Sequence, residues 1–522
     1  MSSSTKVLVL GIDAANPSLL ERWARAGALP ALQALFARGI VAPTRGIDGF
    51  FIGSTWPSFS TGVSPARHGV HYLAQLRRGS YTYERIADRP EHVPPFWVTL
   101  SRAGRRVAVL DVPLTRLASE LNGIQTVEWG AHDSLFGFRA APAELADEIS
   151  GTFGSHPLSG SCDGTRRRAA EVESFVDRLV RGASMKGELT RTLLARGGWD
   201  LVVQVFTEAH CAGHQCWHLH DPEHPSHDAR IRAAVGDPLL RVYQSIDAAI
   251  GEIVADAGDA LVIVLAAHGM SYQYGAQFLL PEILVLLGVA EPHPPEPGPN
   301  LPRALAHRVW RTLPRGARHR LEPIVRPLRP DARPDELPQH AVDPQRSLCF
   351  PVPNGLPVGG IRLNLAGREP AGMLDPGAEA DRFCEELAAD LAAVTNADTG
   401  RPLVRRVVQT KDLWPGPLVQ DLPDVLVEWS DEGPLGNAVN GPAAAAAVRA
   451  TSDKIGLLEG VNGWGRTGEH RPGGLVAAAG PGLAPGRLDR VDLLDLAPTI
   501  MSRLEVEPRG LDGTPIPALV SA

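Results

Sequence analysis

Short aliphatic runs that alternate with amphipathic stretches constrain the fold of this chain more than any other feature. The runs have the length and composition of buried strands, and the stretches between them repeat apolar residues at a period near 3.6. Strand, helix and strand in this order predict a doubly wound, mostly parallel α/β sheet sandwiched by helices. The predicted strands are Val7 to Ile12, Val107 to Leu110, Leu201 to Phe206 and Leu261 to Leu265, and the predicted helices include Pro17 to Ala26, Ala31 to Arg38 and Leu239 to Ala255.

The region from residue 280 to residue 396 interrupts this alternation. It opens with a stretch dense in proline and arginine, Glu291 to Arg346, and closes with a helical pattern near Ala378 to Ala393. We interpret it as an inserted cap, so that residues 1–279 and 397–522 form one core. The core is expected to resume through Asp424 to Trp429 and to end with a strand and a helix between Leu475 and Leu504.

Composition excludes several classes of protein. Hydrophobic residues at 44% and charged residues at 21% are ordinary for a soluble globular chain, and no apolar run is long enough to span a membrane. Five cysteines, an odd number, do not suggest disulfides, and no apolar signal core precedes the first strand, so a cytoplasmic location is the default expectation. A net charge of -8 without a basic stripe argues against a nucleic-acid polymer as partner. Oligomeric state has no signal in the sequence.

Two histidines four residues apart, His210 and His214, carry the strongest chemical signal. On a helix they share one face and can bind one metal ion. His470 completes a set of three imidazoles, which leaves a fourth position open for substrate. The alternative for each is a surface histidine or a hydrogen-bonded core histidine, and we favour the metal site. The further histidines His218, His220, His224 and His227 are interpreted as part of a solvated lid segment.

Asp13 and His268 form a second candidate pair. Each directly follows a predicted strand, and the carboxyl ends of parallel strands meet at one edge of a sheet. The alternative for Asp13 is an N-cap of the following helix, a common role for aspartate at a strand end. We predict that both side chains belong to the site.

Five segments form one set along the chain. They are Gly11-Ile12-Asp13, Thr61 to Gly69 (TGVSPARHG), Glu208 to His214 (EAHCAGH), Ala267-His268-Gly269-Met270 and Gly468 to Pro472 (GEHRP). Taken together they resemble the alkaline phosphatase superfamily and, within it, the type I phosphodiesterase/nucleotide pyrophosphatase branch. This resemblance implies an α/β sandwich with two metals, commonly zinc, beside a Ser or Thr nucleophile that forms a covalent phospho-enzyme. It thus implies a metal-dependent phosphodiesterase or phosphomonoesterase that acts on a small phosphorylated substrate.

The nucleophile that the resemblance implies lies at the start of the helix that reaches Thr61-Gly62. Counting back in the family's usual register overshoots both hydroxyl candidates, but Ser54 comes nearer than Thr55, so we rank Ser54 first. We rank Thr55 close behind, because Thr55-Trp56-Pro57 imitates the Thr-x-Pro order of phosphodiesterases. At a helix N-terminus either hydroxyl would lie near free N–H groups that can hold a phosphoryl oxygen. The alternative is a helix-capping hydroxyl, which predicts the same local sequence.

Two positions depart from the family pattern. His210 stands where an aspartate ligand is expected, and Ala267 stands where the second site expects a carboxylate. The cofactor is therefore predicted to be one or two divalent ions, with zinc first and manganese or magnesium as alternatives, and the second ion is expected to be loosely held or absent. Glu208 is interpreted as a partner that orients an imidazole, with replacement of the lost ligand as the alternative.

Two other functions stay open at this point. One is a phosphoglycerate-mutase-like phosphoryl transferase, which normally requires more carboxylate ligands. The other is a catalytically degenerate module that binds a metal and a phosphorylated ligand without turning the ligand over, which the alanine at position 267 suggests.

Overall fold

A mixed, mostly parallel sheet forms the centre of the molecule. The computed structural model describes residues 6–131, 135–158, 162–293, 342–438 and 446–520. Within these residues, Val7–Ile12 lies in the middle of the sheet and pairs in parallel with Leu201–Phe206 on one side and Leu261–Ala266 on the other. Across the sheet the strands follow the order Gly486–Arg487, Ile40–Arg45, Gly473–Ala479, Leu261–Ala266, Val7–Ile12, Leu201–Phe206, Val107–Leu110, Gly123–Val127 and Arg139–Ala141, with Val491–Asp492 also paired to Ile40–Arg45.

Helices cover both faces of this central sheet, which confirms the predicted fold class. The central strand is apolar along its whole length because Leu8 and Leu10 pack into the core on one face while Val7 and Val9 pack into the core on the other. The first face carries Pro17–Arg25, Pro30–Arg38, Glu144–Phe153, Ala169–Leu194, Glu208–His220, Ala229–Val235 and Pro238–Asp256. The second face carries Thr55–Thr61, Pro65–His68, Phe96–Arg102, Leu496–Arg503 and Pro517–Val520.

A second sheet, which is antiparallel and which we call the cap sheet, lies in the part of the chain that follows residue 280. Its strands pair in the order Cys349–Val352, Val358–Leu363, Val425–Trp429 and Val404–Gln409, and they pack with the helix Ala378–Ala392 in a separate apolar core. Among the described residues of this region, the other elements include the helices Leu280–Leu286 and Thr410–Leu413, the pair Glu291–Pro292 with Val342–Asp343, and the small sheet Thr395–Asn396, Ala447–Ser452 and Gly456–Val461.

The assignment of Asp424 to Trp429 to the core was wrong. The strand Val425–Trp429 has cap strands on both sides, and the chain rejoins the central sheet only with Gly473–Ala479. Most of the proline- and arginine-rich stretch from Glu291 to Arg346 lies outside the described residues. No helix in the described ranges is both long and apolar enough to cross a bilayer.

The candidate site residues lie at the ends of parallel strands and on one pair of short antiparallel strands. Asp13, Glu208 and His268 follow the carboxyl ends of three adjacent parallel strands, as the sequence predicted. The short strand Gly269–Tyr272 then pairs antiparallel with Gly468–Arg471, with Met270 opposite His470. A distant segment of the chain is thereby held at the same edge of the sheet.

Gly11 in the central strand leaves room for the indole ring of Trp56 to pack closely against the strand. A β-carbon at this position would lie 2.8 Å from Cη2 of Trp56 and 2.9 Å from a methyl carbon of Val205. We therefore expect Gly11→Ala to lower the free energy of unfolding by roughly 1–3 kcal/mol, the usual cost of overpacking a core. Chemical denaturation measures the effect. Gly151→Ala is the matched control, because a β-carbon there meets no atom within 4 Å and should leave stability unchanged or slightly raised.

Candidate metal centre

The helix Glu208–His220, here called the ligand helix, places two imidazoles on one buried face. It begins one residue after the strand Leu201–Phe206, so its first turn lies at the carboxyl edge of the sheet. The ring centroids of His210 and His214 are 4.4 Å apart, as expected for side chains four residues apart on a helix. Both side chains are buried.

His470 joins these two from the pair of short strands. Its ring centroid lies 4.9 Å from that of His210 and 4.7 Å from that of His214. One ligand nitrogen from each of the three imidazoles lies within 4.8 Å of the others. In the described parts of the chain, this is the one group of three His, Cys, Asp or Glu side chains with such spacing.

The hydrogen bonds of His214 fit a metal ligand. Its Nδ1 lies 2.7 Å from the carbonyl oxygen of Gly468, which only accepts, so the proton is on Nδ1 and the lone pair is on Nε2. This Nε2 lies 3.1 Å from Nε2 of His470. Two nitrogens bound tetrahedrally to one zinc at about 2.0–2.1 Å stand about 3.3 Å apart, so the spacing matches a shared ion.

Two further histidines, His218 and His224, hold the segment around Thr467 that leads to His470. Their interpretation as part of a solvated lid was therefore wrong. Both are buried, and burial is the main cause that lowers the pKa of His218 to about 3 and that of His224 to about 4. His218 bonds through Nδ1 to the Thr467 hydroxyl at 3.0 Å, and His224 donates from Nε2 to the Thr467 carbonyl at 3.1 Å. Thr467 in turn donates its backbone N–H to the carbonyl of His214.

Asp13 and His268 lie together beside the three imidazoles. Nε2 of His268 is 3.8 Å from Oδ1 of Asp13, and the His268 ring stacks on His470 with centroids 4.7 Å apart. Burial lowers the pKa of His268, although Asp13 opposes the shift. The same Asp13 oxygen accepts a 2.7 Å hydrogen bond from the indole N–H of Trp56, a partner that the sequence reasoning missed.

The hydroxyls of Ser54 and Thr55 are both directed at backbone carbonyls. Ser54 donates to the carbonyl of Val70 and Thr55 to the carbonyl of Phe51, each at 2.8 Å, and both side chains are fully buried. The residues of this turn that line the cleft are instead Ile52, Gly53 and Trp56. The role of either hydroxyl as nucleophile stays a prediction that the geometry does not favour.

His68 gives Ser54 no help as a base. Its Nδ1 accepts the backbone N–H of Val70 at 3.1 Å, so its proton lies on Nε2, which faces the hydroxyls of Ser58 at 2.9 Å and Ser54 at 3.4 Å. Burial lowers the pKa of His68 to about 3. A neutral imidazole that already carries its proton towards these hydroxyls cannot accept one from them.

Glu208 is paired with charges behind the metal centre. Its Oε1 lies 3.2 Å from Nε2 of His156 and 3.7 Å from the ammonium of Lys186, and all three side chains are completely buried. Burial raises the pKa of Glu208, but Lys186 and His156 outweigh it, so the net shift is downward. Lys186 also donates to the carbonyl of Val205 and the hydroxyl of Thr207, which fixes the junction between strand and ligand helix.

A cleft opens onto these groups. Arg466 on its wall donates from Nε and Nη2 to the two carboxylate oxygens of Asp163, at 3.0 and 2.9 Å. Sequence reasoning missed Arg466, although it lies only four positions before His470. The cleft is lined by Asp13, Ile52, Gly53, Trp56, Tyr72, Leu73, Pro113, Leu114, Glu128, Ala131, Thr207, His210, His268, Arg466 and His470.

The parallel sheet agrees with what comparison of the sequence shows. The family model described as type I phosphodiesterase / nucleotide pyrophosphatase matches residues 7–278, more than half of the chain. The chain therefore belongs to the type I phosphodiesterase/nucleotide pyrophosphatase family, and this membership supports a phosphoester hydrolase. No curated protein matches the chain.

Two solved structures are similar to this chain over nearly their whole length. Both are phosphonoacetate hydrolase from Sinorhizobium meliloti 1021, one in complex with phosphonoacetate (TM-score 0.52) and one with phosphonoformate (TM-score 0.50). In each case the sequence identity is 13% and the match covers 96% of both chains. At this identity the likeness establishes the alkaline phosphatase-like fold.

The charges around Glu208 lead to a prediction about stability and metal content. We expect Glu208→Gln to lower the free energy of unfolding by about 3 kcal/mol, because it leaves Lys186 buried with Asp111, 4.0 Å away, as its nearest remaining carboxylate. Metal content should be unchanged, since Glu208 faces Lys186 and His156. Glu188→Gln, an exposed change on the same helix as Lys186, is the control.

The same substitution should alter the pH dependence of stability. The pKa of Glu208 in the fold is below its ordinary value of 4.5, so its contribution is complete above about pH 4.5 and is lost as pH falls through the lower folded pKa. The difference between Glu208→Gln and the wild type should therefore shrink in acid. A variant that instead lost its metal would assign Glu208 to the ligand set.

Proposed function

We propose that this protein is a metal-dependent phosphoester hydrolase that acts on a small phosphorylated substrate. The observation that carries the proposal is the convergence of His210, His214 and His470 on one point, with His210 and His470 lining a cleft. The family supports hydrolysis of phosphoesters, and three imidazoles with an open side are a donor set that suits a catalytic ion.

Zinc fits this donor set best. Three neutral imidazoles favour zinc over magnesium, which prefers oxygen ligands. When bound, such an ion lowers the pKa of an attached water and polarises a phosphoryl oxygen. The chain's own contribution is to fix the tautomer of His214 through Gly468 and to hold His470 opposite Met270.

The remaining cleft residues fit recognition of an anionic substrate. Arg466 supplies a guanidinium that Asp163 holds in one orientation, and planar N–H donors of this kind suit phosphoryl oxygens. Ile52, Tyr72, Leu73 and Leu114 form an apolar wall on which the organic part of a phosphoester can pack. These walls favour hydrolysis of an ester with an apolar leaving group.

Metal removal and a ligand variant test the proposal. We expect the purified protein to contain bound zinc or another divalent ion, and a strong chelator should abolish hydrolysis of a panel of aryl phosphate monoesters and diesters. His214→Ala should lose the ion and at least about 10³-fold in kcat, in line with loss of a catalytic metal. Inductively coupled plasma mass spectrometry gives the metal content. His220→Ala, on the same helix but outside the cleft, should keep both.

Other outcomes would favour the other functions. A metal-loaded protein that binds inorganic phosphate but hydrolyses no ester would support the degenerate binding module. Transfer of the phosphoryl group to an added alcohol in preference to water would support the mutase-like transferase. Hydrolysis that is insensitive to both the chelator and His214→Ala would contradict the proposal.

The nucleophile separates two routes of hydrolysis. The covalent route uses Ser54 or Thr55, whereas in the direct route a water oxygen bonds to phosphorus as the ester oxygen leaves with a proton. The buried hydroxyls and their bonds to backbone carbonyls support the direct route.

We therefore expect Ser54→Ala and Thr55→Val each to keep kcat within about tenfold of the wild type, while each loses about 1 kcal/mol of stability with its hydrogen bond. Steady-state kinetics and thermal unfolding measure the two effects. Loss of a true nucleophile typically costs far more than 10³-fold, so a fall of that size in a folded variant would assign the covalent route to that residue.

A further inference from the structure

We propose that the cleft holds one metal ion, and that Asp13, its hydrogen-bond donor Trp56 and the neighbouring His268 stand where the family would place a second ion. In this arrangement His268 binds a phosphoryl oxygen of the substrate directly. The inference rests on the proposed function for the first ion and goes beyond it in the division of labour within the cleft.

The donor set for a second ion is incomplete. Asp13 and His268 face each other at 3.8 Å, but no further His, Cys, Asp or Glu of the described residues makes a group of three with them. Position 267, directly before His268, carries a fully buried alanine that packs in the same apolar core as Trp56. An aspartate ligand and an imidazole alone hold a divalent cation weakly, since each missing carboxylate removes both charge and a ligand atom.

Trp56 donates a hydrogen bond to Asp13, the one carboxylate that remains in this pair. Its ring lies against Gly11, close enough that a β-carbon there would be 2.8 Å from the ring, and its N–H reaches Oδ1 of Asp13 at 2.7 Å. A hydrogen bond from a neutral donor to a charged acceptor in a buried site is among the stronger ones. An ion bound at this oxygen would have to replace that bond and move a large, tightly packed indole.

His268 has the properties of a ligand for an anion. It is 2% exposed, it lines the cleft, and neither ring nitrogen has a hydrogen-bond partner among the described residues. A buried donor without a partner costs about 1–3 kcal/mol, so an acceptor is expected to meet it during function. Its stacking on His470 fixes the ring beside the first ion, where a phosphoryl group would lie.

Metal stoichiometry tests the one-ion centre without any need for activity. We expect one ion per chain in the wild type after saturation and dialysis, and still one in Asp13→Asn. Trp56→Phe combined with Ala267→Asp should raise the count to two, because it frees Asp13 and restores a carboxylate. Trp56→Phe alone is the matched control and should stay at one.

Two ions in the wild type, or loss of an ion in Asp13→Asn, would overturn this inference while leaving the proposed function intact. An absence of bound metal under every condition would overturn both. One ion per chain without hydrolysis of any ester would overturn the proposed function alone. If the double variant does not fold, the counts in the wild type and Asp13→Asn still decide the matter.

Calorimetric titration with inorganic phosphate tests the role of His268. We expect His268→Ala to weaken phosphate binding to the metal-loaded protein at least about tenfold, as for loss of a hydrogen bond to a charged group, with the metal content unchanged. His92→Ala, which lies outside this cleft, is the control. Unchanged phosphate affinity in His268→Ala, loss of the ion with it, or no phosphate binding by the wild type would each contradict the assignment.

Discussion

The hydrogen bond from Nδ1 of His214 to the carbonyl of Gly468 is the contact on which the candidate centre depends. It joins the ligand helix to the segment that carries His470, and it also sets the tautomer that leaves Nε2 available to an ion. Thr467, His218 and His224 reinforce the same junction from the far side. The position of His470 relative to His214 therefore depends on how this segment is attached.

The buried charges of Lys186 and Glu208 behind the candidate centre also fix the position of a candidate ligand. The sheet edge ends in Thr207 and Glu208, and the completely buried Lys186 donates hydrogen bonds to a carbonyl and a hydroxyl there and lies 3.7 Å from the carboxylate of Glu208. Such a pair is costly to bury and costly to break, so it stabilises one geometry of the first helical turn more than it stabilises the fold. The imidazole of His210 starts from that turn.

The sequence predicted the central sheet well because its strands are apolar on both faces and alternate with periodic helices. The five metal candidates also came together, since Asp13 and His268 follow parallel strands and His210 and His214 share a helix face. Prediction failed where tertiary contacts decide. The apolar run Val425–Trp429 gives no sign of which sheet it joins, and the local sequence does not show that the Ser54 and Thr55 hydroxyls donate to the carbonyls of Val70 and Phe51. The sequence around His218 and His224 could not show whether these histidines are buried against Thr467 or lie in a solvated lid.

The pairing of Gly269–Tyr272 with Gly468–Arg471 also bears on how such a molecule can diversify. The chain leaves the core after Gly269–Tyr272 and returns with Gly468–Arg471, and the cap sheet between them also sends Val358 and Leu426 into the apolar core that packs on the central sheet. An exchange of the cap sheet would therefore have to keep these apolar contacts. An ion shared by His214 and His470, 256 positions apart, would join the ligand helix to the returning strand. The residues that line the cleft lie outside the cap sheet, so a new substrate preference would require changes in core loops such as those that carry Ile52 and Leu114.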